Sequence, residues 1–306
     1  MSDLIDLVRA ELATPVDPRA AAMARAIAAQ YPGSARAVLF YGSCLRESEL
    51  DGLMLDFYLI VSDYSDAYPK RWMAVANRLI PPNVFPFQHD GLIAKYAVLS
   101  EKDFELLNSS EASNVSVWAR FAQPSRLVWS VDHVAADRVI AAIAEAPVTL
   151  FELTMPVMMP GESASPVGIW RAGFGQTYQA ELRAERKGRS VSIVDADPDR
   201  YERFALATLA EIARRRGVGP NGEVPLAHAS DAARRRWGKL RRRGKALSIA
   251  RLAKASLTYA GGIDYLAWKI NRHAGTKIEI KPWQRRWPLV AALTLVPRLM
   301  KSGAIR

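Results

Sequence analysis

Asp56 lies inside an apolar run, Leu53-Met-Leu-Asp-Phe-Tyr-Leu-Ile-Val61, and a short polar loop separates this run from an earlier one, Ala37-Val-Leu-Phe-Tyr41, which stops at Gly42-Ser43. A glycine turn after a strand lets backbone N–H groups come close to a phosphate, a serine adds a hydroxyl donor, and a carboxylate can hold a divalent metal. These residue types at this spacing outline a site for nucleotidyl transfer. A lone carboxylate in an apolar strand is costly unless a metal or hydrogen-bond donors compensate. Asp56 is therefore either a metal ligand or a structural carboxylate bonded to backbone N–H groups at a strand end.

Transfer of this kind usually uses two carboxylates on adjacent same-face positions, so that metal ions can bridge the incoming and leaving oxygens. Here the same-face neighbours of Asp56 are Met54 and Tyr58. Asp51 could supply the second carboxylate if Gly52 breaks the strand, although it reads equally well as a solvated loop acid. Glu181 is the other candidate. Among the cations, Lys95 lies in the apolar run Leu92–Leu99, where an unpaired ammonium would be costly, so it should face an acid or a phosphate. Arg120 and Arg126 flank the loop Gln123-Pro-Ser and would grip a phosphate through paired N–H contacts, or else stand on the surface. His89, His133, His228 and His273 have neither metal-ligand nor triad spacing, and Cys44 has no histidine near it in the sequence.

The elements that must position these residues follow from periodicity. Asp17-Pro18 is a helix-start signal ahead of an Ala-rich run that ends at Tyr31-Pro-Gly33. Ala37–Tyr41 reads as a buried strand. In the next strand Leu53, Leu55, Phe57, Leu59 and Val61 share one face, which leaves Asp56 on the opposite one. A helix is expected over 69–80, closed by Pro81-Pro82, then a strand at Leu92–Leu99 and a helix begun by the capping spacing Ser100…Asp103. Val115–Phe121 is a helix or a strand, residues 134–153 should be helical, Met155–Pro166 forms a loop, and a helix is expected from Arg200 to about Arg216. The economical fold is α+β, a mixed sheet with helices beside it.

Charge divides the chain. Residues 1–213 carry 20 Lys and Arg against 27 Asp and Glu, a net of −7, whereas residues 214–306 carry 22 against 4, a net of +18. The C-terminal third should therefore meet a polyanion, either nucleic acid or an anionic membrane. Residues 234–254 hold ten of these cations, and Leu247, Ile249, Leu252 and Leu257 suggest a basic amphipathic helix. Near the end, Trp283 and Trp287 precede the apolar run Pro288–Pro297, which is far short of the ~20 residues a spanning helix needs but suited to the membrane interface. A single cysteine excludes an internal disulfide framework, and the acidic N-terminus lacks the order of a signal peptide, so a cytoplasmic protein is expected.

Taken together, several blocks resemble the mitochondrial-type, peripheral phosphatidate cytidylyltransferases (CDP-diacylglycerol synthases) of the nucleotidyltransferase superfamily. They are Tyr41-Gly-Ser43, Met54-Leu-Asp-Phe57, Pro81-Pro-Asn83, Ile93-Ala-Lys-Tyr-Ala-Val-Leu-Ser100 with Asp103, and Trp118-Ala-Arg120 with Pro124. Gly173 to Arg183, Val191–Val194, Thr258-Tyr-Ala-Gly261 and Tyr265-Leu266 continue the series, so the resemblance spans residues 37–270. Cys44 and Ala97 stand where that family tends to have glycine, and Glu181 where it tends to have aspartate.

The resemblance implies a nucleotidyltransferase domain over 1–133, a helical winged-helix-like domain over 134–216 and a basic membrane-associating region over 217–306. It implies CTP and phosphatidate, or a similar lipid phosphate, as substrates, Mg²⁺ as cofactor, and an anionic inner-membrane surface as partner. Asp56, Lys95 and Arg120 would be catalytic, Tyr41, Gly42, Ser43 and Arg126 would bind the nucleotide, and Asp56, Asp51 and Glu181 would be the metal ligands. Two other readings fit the residues: a nucleotidyltransferase acting on RNA or a small molecule, and a non-catalytic membrane-binding protein on a degenerate transferase scaffold. The Trp-flanked apolar end suits lipid better than nucleic acid.

Overall fold

The computed structural model describes residues 3–46, 49–158, 165–181, 193–217, 230–258 and 281–282. Its centre is a five-stranded mixed sheet formed by β1 (Ala35–Tyr41), β2 (Met54–Val61), β3 (Asn83–His89), β4 (Leu92–Ser100) and β5 (Ser125–Ser130), in the order β3-β4-β2-β1-β5. Only β2 and β4 run parallel; the other three pairings are antiparallel. The α+β class expected from the sequence, a mixed sheet with flanking helices, is the one the chain adopts.

The alternation in β2 sorts its side chains as its period of two requires. Leu55, Phe57, Leu59 and Val61 join Val38 and Phe40 of β1 under α2 (Pro18–Ala29), which contributes Ala20, Met23, Ala24 and Ile27. Asp17 caps α2 by accepting from Arg19 N at 2.7 Å. On the other face, Tyr58 and Ile60 pack with Leu39, Ala97 and Leu99 against α1 (Leu4–Leu12), α5 (Glu101–Asn108), α6 (Trp118–Phe121) and α7 (His133–Thr154). Ser100 caps α5 through its hydroxyl, which accepts from Asp103 N at 3.2 Å. Asp56 shares this second face at the end of the sheet where β1 passes into the Gly42 turn.

Between β2 and β4 the chain forms α3 (Tyr64–Ala67), α4 (Arg71–Leu79) and β3. The strand β3 was not expected, because Pro86 interrupts its pattern. It occupies the sheet edge, where a residue without an N–H is tolerated. The other edge strand, β5, falls where the sequence suggests a loop. Both faces of this strand are only partly covered, so it lacks the alternation of a half-buried strand.

The second face continues into helical structure. α7 packs against α8 (Pro166–Ala180) and α9 (Pro198–Arg215), and one apolar cluster extends from the sheet through all three and on to Trp237 and Leu240. By length and composition α7 could cross a membrane, but 78% of its apolar window is inside the fold, as befits a core helix. Arg200 of α9 makes a buried bidentate ion pair with Glu11 of α1 and lies over the rings of Tyr201 and Phe204, tying the first helix to the last of this group.

The basic segment forms α10 (Asp231–Thr258). Its inward stripe is Trp237, Leu240, Gly244, Ser248, Arg251 and Lys254, at helical spacing. The apolar face read from the sequence is displaced from this stripe, since Ile249 is exposed and Leu247 half-buried. Residues 191–192, 218–229 and 259–280, and the apolar run 288–297 with Trp283 and Trp287, lie outside the described residues.

Candidate active site

Sheet register assembles the first part of the site. Asp56 stands opposite Tyr41 across the antiparallel β1–β2 pairing and opposite Lys95 across the parallel β2–β4 pairing. Three residues distant in sequence thus form one row on one face. Lys95 Nζ lies 2.9 Å from Asp56 Oδ1. The ion pair offsets the cost of holding both charges among apolar strands.

Gly42 closes this row. Its φ of +97° belongs to the region that L side chains avoid, and a Cβ there would stand 3.3 Å from Asp56 Oδ2. The turn therefore lies directly against the carboxylate, and Ser43 begins a 3-10 turn, Ser43–Arg46, with its side chain exposed. Burial, with Asp56 next to it, raises the Tyr41 hydroxyl well above its ordinary pKa, so it remains a neutral donor.

Arg120 projects from α6 into the same neighbourhood. Its guanidinium donates to the Ser116 carbonyl and lies 3.6 Å from Glu181 Oε1, at the end of α8. Burial works against its charge, but Glu181, Tyr58, Tyr41 and Asp56 together raise its pKa. Glu181 is almost wholly buried, as the removal of a carboxylate from water requires when an arginine faces it. Asp56, Lys95, Tyr41, Gly42, Arg120 and Glu181 are therefore neighbours.

Two expected residues lie elsewhere. Asp51 is 61% exposed and pairs with Arg19 of α2 at 3.0 Å, on the outer side of the turn at Gly52. Arg126 is half-buried, and burial lowers its pKa; the charges acting on it are Glu11 and Arg200, so it belongs to the α1–α9 ion-pair region.

The residues that sequence reasoning missed come from α10. Arg251 Nε donates to the Pro81 carbonyl at 2.6 Å, and its Nη1 donates to the Ser116 hydroxyl at 2.6 Å. Lys254 donates to the carbonyls of Ile80 and Pro82, the latter at 2.8 Å. Three consecutive carbonyls at the entrance to β3 are thus capped by two side chains of one helix, which satisfies acceptors in a segment whose prolines cannot continue a ladder. Burial lowers the pKa of Arg251 and takes Lys254 down to about 7. The available signal was the spacing of Trp237, Leu240, Gly244, Arg251 and Lys254, a helical stripe whose last two positions are charged.

No group of three or more His, Cys, Asp or Glu side chains able to hold a metal occurs among the described residues. The donors do not fit a metal pair built by the protein alone. They fit one Mg²⁺ that shares Asp56 with nucleotide oxygens and water, since Mg²⁺ is commonly held by one or two carboxylates plus substrate phosphates and the Asp56 carboxylate, paired with Lys95, stands against the Gly42 turn.

Comparison with known proteins adds little to this geometry. No protein-family model matches the chain, and no curated protein matches it. A crystal structure of a nucleotidyltransferase-like protein from Exiguobacterium sibiricum aligns over 93% of this chain and 92% of that one, with 11% identity and a TM-score of 0.28. A similarity at that level carries no argument about this protein.

Proposed function

We propose that this protein is a nucleotidyltransferase that moves CMP from CTP to the phosphate of phosphatidate or a similar lipid phosphate. The observation that carries the reading is the row of Tyr41, Asp56 and Lys95, closed by a positive-φ glycine at which any Cβ would press on the carboxylate, and flanked by Arg120. In the proposed reaction an oxygen of the acceptor phosphate attacks the α-phosphorus, the bond from that phosphorus to the bridging oxygen breaks, and pyrophosphate leaves. Such transfer depends on positioning and charge stabilisation, and no covalent enzyme intermediate is needed.

The Gly42-Ser43 turn would cradle the triphosphate with backbone N–H groups and the exposed Ser43 hydroxyl. Lys95 would leave Asp56 for a phosphate oxygen when nucleotide arrives, and Arg120 would offset charge developing on the leaving pyrophosphate. Asp56 would hold Mg²⁺, which when bound neutralises phosphate oxygens. The net +18 of residues 214–306 supports peripheral attachment to an anionic cytoplasmic membrane surface, where each Lys or Arg near the surface contributes about 1 kcal/mol. A nucleotidyltransferase with an RNA acceptor is the second reading, favoured by the exposed arginines of α10, Arg234, Arg235, Arg242 and Arg243.

The test is label transfer from α-labelled CTP and ATP to phosphatidate vesicles or RNA, with and without Mg²⁺. Transfer from CTP to phosphatidate is expected, and Asp56→Asn should lower kcat by about a hundredfold or more while vesicle binding persists. Label appearing only in RNA would establish the second reading. Absence of transfer with every acceptor, or an Asp56→Asn enzyme that keeps most of its activity, would overturn the assignment.

A further inference from the structure

Arg120 and Arg251 come from elements more than a hundred residues apart, yet both are anchored on one buried residue, Ser116, whose carbonyl accepts from Arg120 and whose hydroxyl accepts from Arg251. Ser116 is itself fixed by the Asn114 side chain, which accepts from Ser116 N at 3.0 Å. Two guanidinium groups so placed repel each other, and each lowers the cost of the other only if an anion lies between them. Glu181 is the carboxylate that acts on both, and it lies 3.6 Å from Arg120. Arg251 Nη2 is buried and has no hydrogen-bond partner. Arg120 and Arg251 thus share one carboxylate, and Lys254 stands next to Arg251 on the following turn of α10.

We propose that Arg251, together with Arg120 and anchored through Ser116, forms a binding site for a phosphate-monoester dianion, separate from the Gly42-Ser43 turn. The charged groups acting on Arg251 are Arg120 and Glu181, whereas those acting on Tyr41 are Asp56 and Arg120, and the Tyr58 ring adjoins both. Arg120 thus adjoins both the Asp56 row and the Arg251 side. A dianion bound to Arg251 would accept from the uncapped Nη2 and offset the positive charge that Glu181 leaves unbalanced between the two arginines. It would also be held next to the residue proposed to steady the departing pyrophosphate. The identity of the dianion as the acceptor phosphate rests on the proposed transferase reading; the anion site itself does not.

The test is calorimetric titration of the full-length protein with inorganic phosphate, and separately with dibutyryl phosphatidate below its aggregation concentration, at low ionic strength and without CTP or Mg²⁺. Arg251→Gln should weaken binding of both about tenfold, and Arg251→Lys should weaken it less. Lys245→Gln, which removes one charge from the exposed side of the same helix, should leave binding unchanged. Ser116→Ala keeps both arginines and the carbonyl that holds Arg120 but removes the hydroxyl that holds Arg251, and should weaken binding several-fold, so the inference stays testable if Arg251→Gln fails to fold. Preference for dibutyryl phosphatidate over inorganic phosphate would mark the site as one for a lipid headgroup; equal binding would mark it as a general phosphate site. Equal weakening by Arg251→Gln and Lys245→Gln would reduce the effect to net charge and overturn the inference, as would binding unaltered in Arg251→Gln and Ser116→Ala. If phosphate binding follows the expected pattern but label transfer is absent, the site stands and the transferase reading falls.

Discussion

Gly42 illustrates how tightly one residue constrains the site. A Cβ there would meet two penalties at once, a φ of +97° and a contact 3.3 Å from Asp56 Oδ2. Gly42→Ala is therefore expected to cost about 1 kcal/mol or more in stability through the backbone alone. Its effect on the proposed nucleotidyl transfer should exceed what this predicts, because the carboxylate must shift. Comparing urea midpoints with kcat for the variant checks both halves; a stable variant with unaltered kcat would show that the turn does not set the position of Asp56.

Lys254 gives a second expectation at this scale. Its pKa falls from 10.5 to about 7 because it is buried, with Arg251 next to it adding to the effect. Between pH 7 and 10.5 the unfolded chain binds more protons at this site than the folded one, so stability should rise with pH across that window. Below pH 7 the lysine is charged in both states and the full cost of burying the ammonium is felt. Lys254→Met should remove this contribution, and the difference in denaturation midpoint between wild type and variant should change from pH 7 to 9.5 in favour of wild type. Parallel pH profiles would mean that the ammonium is not desolvated.

Among the elements, α10 changes most between sequence and structure. Composition marks it as a basic helix bound for a polyanion, but its inward stripe docks on the fold. Trp237 is buried, donates from Nε1 to the Leu153 carbonyl at 2.7 Å and packs edge-on against Trp118, and Gly244 lets the helix approach α8. A Cβ at Gly244 would stand 2.2 Å from the Ala180 carbonyl oxygen, next to Glu181. Alanine is the better helix former by about 1 kcal/mol, yet the clash is with backbone and is expected to outweigh that gain by about 1–3 kcal/mol. Gly244→Ala should thus destabilise the protein in urea and weaken the proposed transfer, since the adjoining Glu181 pairs with Arg120, whereas a stabilised variant would show that α10 does not pack this closely. For the same reason, removing everything after Gly217 would strip Arg251 from its place beside Arg120 as well as the proposed membrane-binding charge.

For the whole molecule, the division of charge is the dominant fact. A −7 portion and a +18 portion share one chain, and part of the positive end is folded onto the candidate site by Arg251 and Lys254. Arg235, Arg242, Arg243 and Lys245 of α10 are exposed, so vesicle binding is expected to require anionic lipid. It should fall steeply as salt rises from 0.05 to 0.5 M, because the Debye length shortens to about 4 Å over that range. Co-sedimentation with neutral and anionic vesicles measures it; salt-insensitive binding would point to the apolar run near the C-terminus instead.

The sequence by itself determined much of the local structure and the chemistry it carries. The period of two in β2 assigned Asp56 to the face opposite the leucines, the Asp-Pro and Ser…Asp caps started their helices, and Lys95 was marked by the cost of a bare ammonium in an apolar strand. Edge strands escaped because half-covered strands, one with a proline, show no clear alternation. What only the tertiary structure decided is who meets whom. Strand register set Lys95 beside Asp56, and α6 and α8 brought Arg120 to Glu181. The docking of α10 carried Arg251 to Ser116, and Asp51 turned outward to Arg19. Local periodicity fixes which face a side chain takes, but contacts between residues far apart in sequence depend on how whole elements pack, and no short-range pattern encodes that.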